Sequence, residues 1–146
     1  MADVFIACSM KEDGEIARKL CAKLKSAGIS VWYAEQDIKP GDWIRASIQE
    51  AMEQSKVCVF IFSKSSIYSG HFSTEFGYAV KLIREERRRI FILPLAIDAE
   101  GKSVLPKKTT QDFVWFDASE PPLETRLNEF AQALARTLHE PKESAS

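Results

Sequence analysis

The stretch VCVFIFS, residues 57–63, decides the fold, because its first six residues are all apolar. A strand with one face in water alternates apolar and polar residues, whereas a strand covered on both faces is apolar throughout. The stretch therefore predicts a central strand of a parallel sheet that carries helices on both sides.

Other short apolar runs lie on either side of this strand and alternate with helical patterns. VFIAC (residues 4–8) and ISVWY (29–33) precede it, and IFILPLAI (90–97) and FVWF (113–116) follow it. Five strands interleaved with helices predict an α/β fold, a doubly wound parallel sheet in the flavodoxin-like strand order 2-1-3-4-5. Pro94 has no N–H to donate, so we expect the fourth strand to be bulged or near a sheet edge.

Apolar residues at helical spacing predict helices over residues 15–28, 44–52 and 123–138. A further helix is expected to begin close to Glu75. The segment that contains Gly101 and Pro106 is predicted to be a loop, because both residues are common in turns.

The composition is that of an ordinary globular domain, with 146 residues and a net charge of -1. Near-neutral charge gives no reason to expect nucleic acid as a partner. No apolar run reaches the length of about 18 residues that a membrane span needs. Three cysteines without a C-x-x-C pair favour a reducing compartment, so we expect a cytoplasmic protein. We predict one domain over residues 1–140, with 141–146 as a polar tail or the start of a linker.

The expected sheet also predicts where a ligand binds. Ligands of such sheets bind beyond the carboxyl ends of the strands where the strand order reverses, here between the first and third strands. The loops at that edge are Cys8–Gly14, Ala34–Trp43 and Ser63–Ser73, and Glu75 is expected in the first helical turn after the third loop. A glutamate there interacts favourably with the helix dipole, or it points into a site and takes part in chemistry. Its position alone leaves both interpretations open.

Several familiar kinds of site are absent from the sequence. G-x-G-x-x-G does not occur, and the G-K-S at residues 101–103 has Ala96 where the full G-x-x-x-x-G-K-[ST] pattern needs a glycine, which excludes the usual dinucleotide and P-loop sites. His71 and His139 are far apart and no Cys/His cluster exists, so we expect no metal. No G-x-S-x-G elbow supports a catalytic serine.

Three segments together resemble a TIR domain, the Toll/interleukin-1 receptor/resistance protein module. DVFIACS (residues 3–9), with Glu12 and Asp13 after it, is similar to the opening motif of that family. GISVWYAEQDIKPGDWIRASIQEAMEQS (28–55) resembles the second strand, the BB loop with its Pro-Gly pair and the next helix. VCVFIFSKSSIYSGHFSTEFGYAV (57–80) resembles the third strand and the W-x-x-x-E element. The resemblance covers nearly the whole chain.

By this resemblance, Glu75 is the glutamate that NAD-cleaving TIR domains use. The chain differs from the family at two positions, where His71 stands in place of the usual Trp and Ala34 in place of a frequent acidic residue. NAD+ is then a substrate, and no cofactor is expected. Residues at the same edge that are candidates to bind it, by ring stacking or polar contact, are Cys8, Ser9, Gly41, Asp42, Trp43, His71 and Phe72.

The expected chemistry needs only one carboxylate. Breaking the nicotinamide–ribose bond forms an oxocarbenium-like ribosyl cation, and the leaving nicotinamide already carries positive charge. Glycosidases use two carboxylates, one of them often as the acid for a poor leaving group. With a cationic leaving group, a single carboxylate that stabilises the forming cation can suffice.

Two functions from different classes remain open. The first is an NAD+ nucleosidase or cyclase that gives ADP-ribose or a cyclic ADP-ribose-type signal, which the resemblance to bacterial TIR proteins places in anti-phage immune signalling. The resemblance implies activation by self-association, with a fused or separate sensor protein as a further partner. The alternative is a non-enzymatic scaffold that acts only through TIR–TIR contacts. The sequence leaves the product and the activating signal open.

Overall fold

The computed structural model describes residues 3–33, 41, 44–68, 70–84, 91–108 and 115–139. Five parallel strands form one sheet in the order β2-β1-β3-β4-β5, which confirms the predicted fold. The strands are β1 (Val4–Ala7), β2 (Val31–Tyr33), β3 (Val57–Phe62), β4 (Phe91–Ala96) and β5 (Phe116–Asp117). The helices in these ranges are α1 (Met10–Ser26), α2 (Ile44–Gln54), α3 (Gly70–Arg84), α4 (Ala99–Lys108) and α5 (Leu123–His139), and a 3-10 turn at Ser66–Tyr68 precedes α3.

Strand β3 is the middle of the sheet, as its apolar sequence predicts. All six of its residues are buried, and it pairs with β1 on one side and β4 on the other. Its side chains alternate between two cores because successive residues of a strand point to opposite faces. Val57, Val59 and Ile61 pack in the core under α1 and α5. Phe60 and Phe62 pack in the second core, under α2, α3 and α4.

Strand β4 is not bulged, so that alternative predicted from Pro94 is wrong, but it is next to the edge strand β5, as the other alternative expects. The register runs without a break from Val57↔Phe91 to Phe62↔Ala96, and β5 covers the other side of the last two residues. The N–H of Ile97 donates to the carbonyl of Phe62, so odd-numbered residues of this strand face β3 and Pro94 faces away from it. Pairing with β5 begins only after Pro94, at Leu95, so the missing N–H removes no ladder bond.

The segment around Gly101 is helix α4 rather than the predicted loop. The Asp98 carboxylate caps this helix by accepting a hydrogen bond from the Gly101 N–H at 2.7 Å. A Cβ on Gly101 would lie 2.1 Å from the carbonyl oxygen of Phe62. The glycine therefore allows α4 to approach the end of β3 closely, and it does not mark a turn.

No helix in the described ranges is both long enough and apolar enough to cross a lipid bilayer. The predicted last helix is confirmed as α5, whose Leu127, Phe130 and Leu134 are buried against the sheet.

Candidate functional site

Glu75 lies in the second turn of α3, not in the first turn as predicted. The helix begins at Gly70, and its first turn holds no acidic residue. Because the influence of a helix dipole falls off within the first turn, the dipole does not account for a glutamate at this position. The sequence left two interpretations of Glu75 open, and the first of them, a favourable interaction with the helix dipole, loses its main support.

The carboxyl of Glu75 is half-buried and has no polar partner among the described residues. Burial raises the pKa of this carboxyl from its ordinary value of 4.5 to about 7, because the ionised form loses hydration. No cation or hydrogen-bond donor in the described part of the chain offsets that loss. A titratable group of this kind is typical of functional sites, where a ligand supplies the missing interaction.

The face of α3 that carries Glu75 borders on α2. Tyr78 lies three residues after Glu75, on the same side of the helix. Its hydroxyl donates a hydrogen bond to the Glu53 carboxylate of α2 at 2.7 Å. Glu75 therefore lies along the seam between α2 and α3, one helical turn closer than Tyr78 to the carboxyl edge of the sheet.

A buried polar cluster connects this edge to the start of α3. Ser63, directly after β3, donates its hydroxyl to the carboxylate of Asp13 in the first turn of α1. The Ser63 N–H donates to Ser66 Oγ at 2.8 Å, and the Ser66 N–H donates to Ser63 Oγ at 3.0 Å. Together the three side chains hold the 3-10 turn from which the chain enters α3.

The sequence interpretation missed the role of Ser63 and Ser66. The signal that could have identified them is a pair of serines three residues apart after one buried strand, together with an acidic residue shortly after the neighbouring strand β1. Burial raises the pKa of Asp13, the hydrogen bond from Ser63 opposes this, and the negative charges of Asp98 and Glu12 add to the increase. Asp13 is thus as buried as a core residue but, unlike Glu75, it has a donor.

Phe72 does not occupy the position expected for a substrate-stacking ring. It is 3% exposed. Its ring packs edge-on against Phe60 and Phe62, with centroid distances of 5.7 and 5.1 Å. In this structure Phe72 is a core residue that holds α3 on the sheet beneath Glu75. Trp32 of β2 is likewise engaged within the fold, since its ring lies flat on Phe5 at a centroid distance of 5.3 Å.

Cys8 and Ser9 lie at the predicted edge, but their side chains are engaged elsewhere. The predicted loop Cys8–Gly14 is much shorter, because α1 begins at Met10. The side chain of Cys8 packs in the core under α1 and α5, on the opposite face of the sheet from α3. The Ser9 hydroxyl donates to Glu12 Oε2 at 2.8 Å.

Gly41 is an exposed turn residue with φ +96, a left-handed conformation that favours glycine. A Cβ at this position would meet nothing within 4 Å. Asp42 and Trp43 lie outside the described residues. His71 is part of α3, and its side chain also lies outside the description.

The described residues contain no group of three or more His, Cys, Asp or Glu side chains that could hold a metal ion. No disulfide joins Cys8, Cys21 and Cys58, and all three are buried. Burial raises the pKa of the Cys58 thiol to about 12, which makes it a poor nucleophile. Among the described groups, the carboxyl of Glu75 is the one best suited to chemistry, since it is partly exposed and can stabilise a positive charge beside it.

A protein-family model described as "TIR domain" matches residues 4–140. A relative described as "NAD(+) hydrolase TcpA", from Theionarchaea archaeon (strain DG-70-1), is 41% identical over 63 residues, which cover 42% of this chain and 19% of the relative. The "Probable 2' cyclic ADP-D-ribose synthase TcpO" of Methanobrevibacter olleyae is 26% identical over 119 residues, which cover 82% of this chain and 31% of the relative. The chain therefore spans between a fifth and a third of the length of these curated relatives.

A solved structure, the TIR domain of the Toll-related receptor TRR-2 from Hydra magnipapillata, superposes with a TM-score of 0.69. The two sequences are 17% identical, and the match covers 93% of this chain and 99% of the other. At this identity the likeness supports the fold and nothing more specific.

Proposed function

Because this chain belongs to the TIR domain family, we propose that it cleaves the nicotinamide–ribose bond of NAD+, with Glu75 as the catalytic residue. The observation that carries this proposal is the half-buried carboxyl of Glu75 on the α2–α3 seam, which has no polar partner among the residues that the structure describes. Burial of a carboxyl without a donor is unfavourable to its ionised form, unless a positive charge comes to lie beside it. The ribosyl cation formed from NAD+ is such a charge.

The reaction requires little of the protein besides this carboxylate. The bond between the anomeric carbon and the nicotinamide nitrogen breaks, and its electron pair leaves with the nitrogen, so that neutral nicotinamide departs. The ribose ring keeps the positive charge, which the Glu75 carboxylate stabilises as it develops. Water then adds to the anomeric carbon and loses a proton, giving ADP-ribose. If a hydroxyl of the same molecule adds instead, the product is cyclic.

The names of the relatives support both possible products, ADP-ribose and a cyclic ADP-ribose. One is described as an NAD(+) hydrolase and another as a probable 2' cyclic ADP-D-ribose synthase. Both relatives are longer than this chain, so the activity of a whole protein is proposed here for one domain. NAD+ is the substrate in either case, and no further cofactor takes part.

Self-association is the proposed means of activation, through the loop that contains Gly41. Support comes from the exposure of Gly41 and the open space around it. The loop that the sequence predicts over residues 34–43 is also longer than the two to six residues, roughly, that connect most strands to helices. A fused or separate sensor protein would drive the association, in the cytoplasm, and the proposed setting is bacterial anti-phage defence.

The test measures nicotinamide release from NAD+ by chromatography, with the protein concentrated or artificially clustered. Wild type should release nicotinamide, and Glu75→Gln should be slower by about 100- to 1000-fold, the usual effect of removing a well-placed electrostatic group. Glu50→Gln, an exposed glutamate on α2, is the matched control and should keep full activity. Separation of the ribose-containing products distinguishes ADP-ribose from a cyclic product.

Two results would contradict the proposal. Equal rates for wild type and Glu75→Gln, both folded by circular dichroism, would remove Glu75 from the mechanism. No nicotinamide release by clustered wild type would favour the alternative, a scaffold that acts by TIR–TIR contact alone.

A further inference from the structure

The hydrogen bond between Tyr78 and Glu53 has a place in the fold that invites a functional explanation. It joins α3, which carries Glu75, to α2, which begins at Ile44, shortly after Gly41. Both side chains are only partly buried, so the bond is not a way to satisfy a polar group trapped in the core. It lies one helical turn from Glu75 on the same side of α3.

Glu53 is an unfavourable choice for the stability of α2 itself. It is the second-last residue of the helix, where the dipole disfavours a negative charge. No basic residue lies in the last turn of α2. A carboxylate that accepts from a tyrosine hydroxyl makes a stronger bond than a neutral acceptor would. Glu53 thus strengthens the connection between α2 and α3 at some cost to the stability of α2.

The contacts of α3 with the sheet are apolar. Phe72 and Phe76 attach the helix to β3 through edge-on ring contacts with Phe60 and Phe62. The hydroxyl of Tyr78 adds a directional hydrogen bond from α3 to α2, on the side of the helix that carries Glu75.

We propose that Tyr78 and Glu53 are positioning residues, whose hydrogen bond holds α3 against α2 and keeps the Glu75 carboxyl in its half-buried place. Their role in catalysis rests on the proposed function, whereas their effect on Glu75 can be measured without turnover.

The first test follows the ionisation of Glu75 by NMR of its side-chain carboxyl in wild type and Tyr78→Phe. The substitution removes one hydroxyl and leaves the ring in place. The seam should loosen and admit water, so the titration midpoint of Glu75 should fall by about half a pH unit or more. Glu53→Gln keeps an oxygen that can accept the bond, although a neutral one, so the titration midpoint of Glu75 should shift less in this variant than in Tyr78→Phe. Gln54→Ala breaks an exposed hydrogen bond on the same helix, from Gln54 to Glu50, and should change nothing.

The second test measures the kinetics of nicotinamide release. A misplacement of about 1 Å in an active site can cost on the order of 100-fold in rate. Tyr78→Phe should lower kcat by about 10-fold with KM within about twofold of wild type, because the carboxyl acts on the transition state more than on bound substrate. Glu53→Ala should show the same loss, and the double variant should be no slower than either single one.

The outcomes separate the positioning role from the proposed function. An unchanged Glu75 midpoint in folded Tyr78→Phe would overturn the positioning role, and so would additive losses in the double variant. If wild type released no nicotinamide but the titration midpoint of Glu75 still fell in Tyr78→Phe, the proposed function would be rejected. The conclusion that Tyr78 and Glu53 position Glu75 would stand. If Tyr78→Phe fails to fold, Glu53→Ala removes the same bond from the other side and provides the same readouts.

Discussion

Substitution of Glu75 by Gln should stabilise the protein at alkaline pH, although the proposed function makes this residue essential for activity. The folded protein holds the Glu75 pKa at about 7, against an ordinary value of 4.5. The folded state therefore binds a proton more tightly than the unfolded state does. The stability that this proton contributes is complete below about pH 4.5 and is lost as the pH rises through 7.

The size of the effect follows from the same two values. A pKa difference between 4.5 and about 7 corresponds to about 3 kcal/mol of free energy of unfolding. Because the side chain is only half-buried, water offsets part of this, and we expect about 2 kcal/mol. Glutamine is nearly isosteric and never ionised, so Glu75→Gln escapes the penalty at high pH.

Urea unfolding at about pH 5 and about pH 8.5 measures the difference. At the lower pH, Glu75→Gln and wild type should be of similar stability, within about 1 kcal/mol. At the higher pH the variant should be the more stable by about 2 kcal/mol. Glu50→Gln, on the exposed side of α2, should show no such change between the two conditions. If Glu75→Gln were equally or less stable than wild type at both pH values, the carboxyl would have a partner or full hydration, and the electrostatic argument for the site would be refuted.

Three further predictions follow from single positions. The kcat/KM for nicotinamide release should rise with pH and level off above about 7, because the ionised carboxyl of Glu75 is the active form; a profile flat between about pH 5.5 and 8.5 would exclude that carboxyl. Gly101→Ala should lower the free energy of unfolding by more than about 2 kcal/mol, since its Cβ would meet the backbone of Phe62. Gly77→Ala, at an exposed position of α3, should raise the free energy of unfolding by about 0.5–1 kcal/mol. Equal effects of the two substitutions in urea unfolding would contradict this. Replacing Gly41 with Trp should leave the monomer folded by circular dichroism but reduce self-association in light scattering and activity together; full activity of dilute wild-type monomer, matched by the variant, would disprove the assembly role.

The sheet could be predicted from the sequence because its strands carry strong and redundant signals. An apolar run as complete as β3 has no other place than the centre of a covered sheet. The bulge expected from Pro94 failed for a reason that the sequence does not contain. The missing N–H of Pro94 would matter only if a neighbouring strand offered it an acceptor. It points toward the side of β5, and pairing with β5 begins at the next residue, Leu95.

Helix boundaries were the weakest part of the prediction, and they changed the interpretation of the site. Gly101 suggested a turn, yet it marks the close approach of α4 to β3. Glu75 was expected in the first turn of its helix, and it lies in the second. The glycine at position 70 and the polar residues after it resemble a loop in the sequence, whereas the structure begins the helix at Gly70.

Side-chain direction was a second limit. Cys8 and Phe72 were assigned to the correct edge of the fold, but one faces the wrong side of the sheet and the other faces the core. Both outcomes depend on the parity of a strand or the phase of a helix, which shifts with a boundary error of a single residue. Polar clusters such as Ser63–Ser66 were missed because their partner, Asp13, is distant in sequence.

The contrast between Asp13 and Glu75 is the strongest reason to assign the function to Glu75. Both are acidic side chains whose pKa is raised by burial. Asp13 is the more deeply buried, but it accepts a hydrogen bond from Ser63 and lies in the first turn of α1, where the helix dipole favours it. The burial of Asp13 is therefore explained within the fold. Glu75 has neither a donor in the described part of the chain nor a helix start beside it, so nothing in that part explains its burial, and the ribosyl cation of the proposed reaction would supply the missing positive charge.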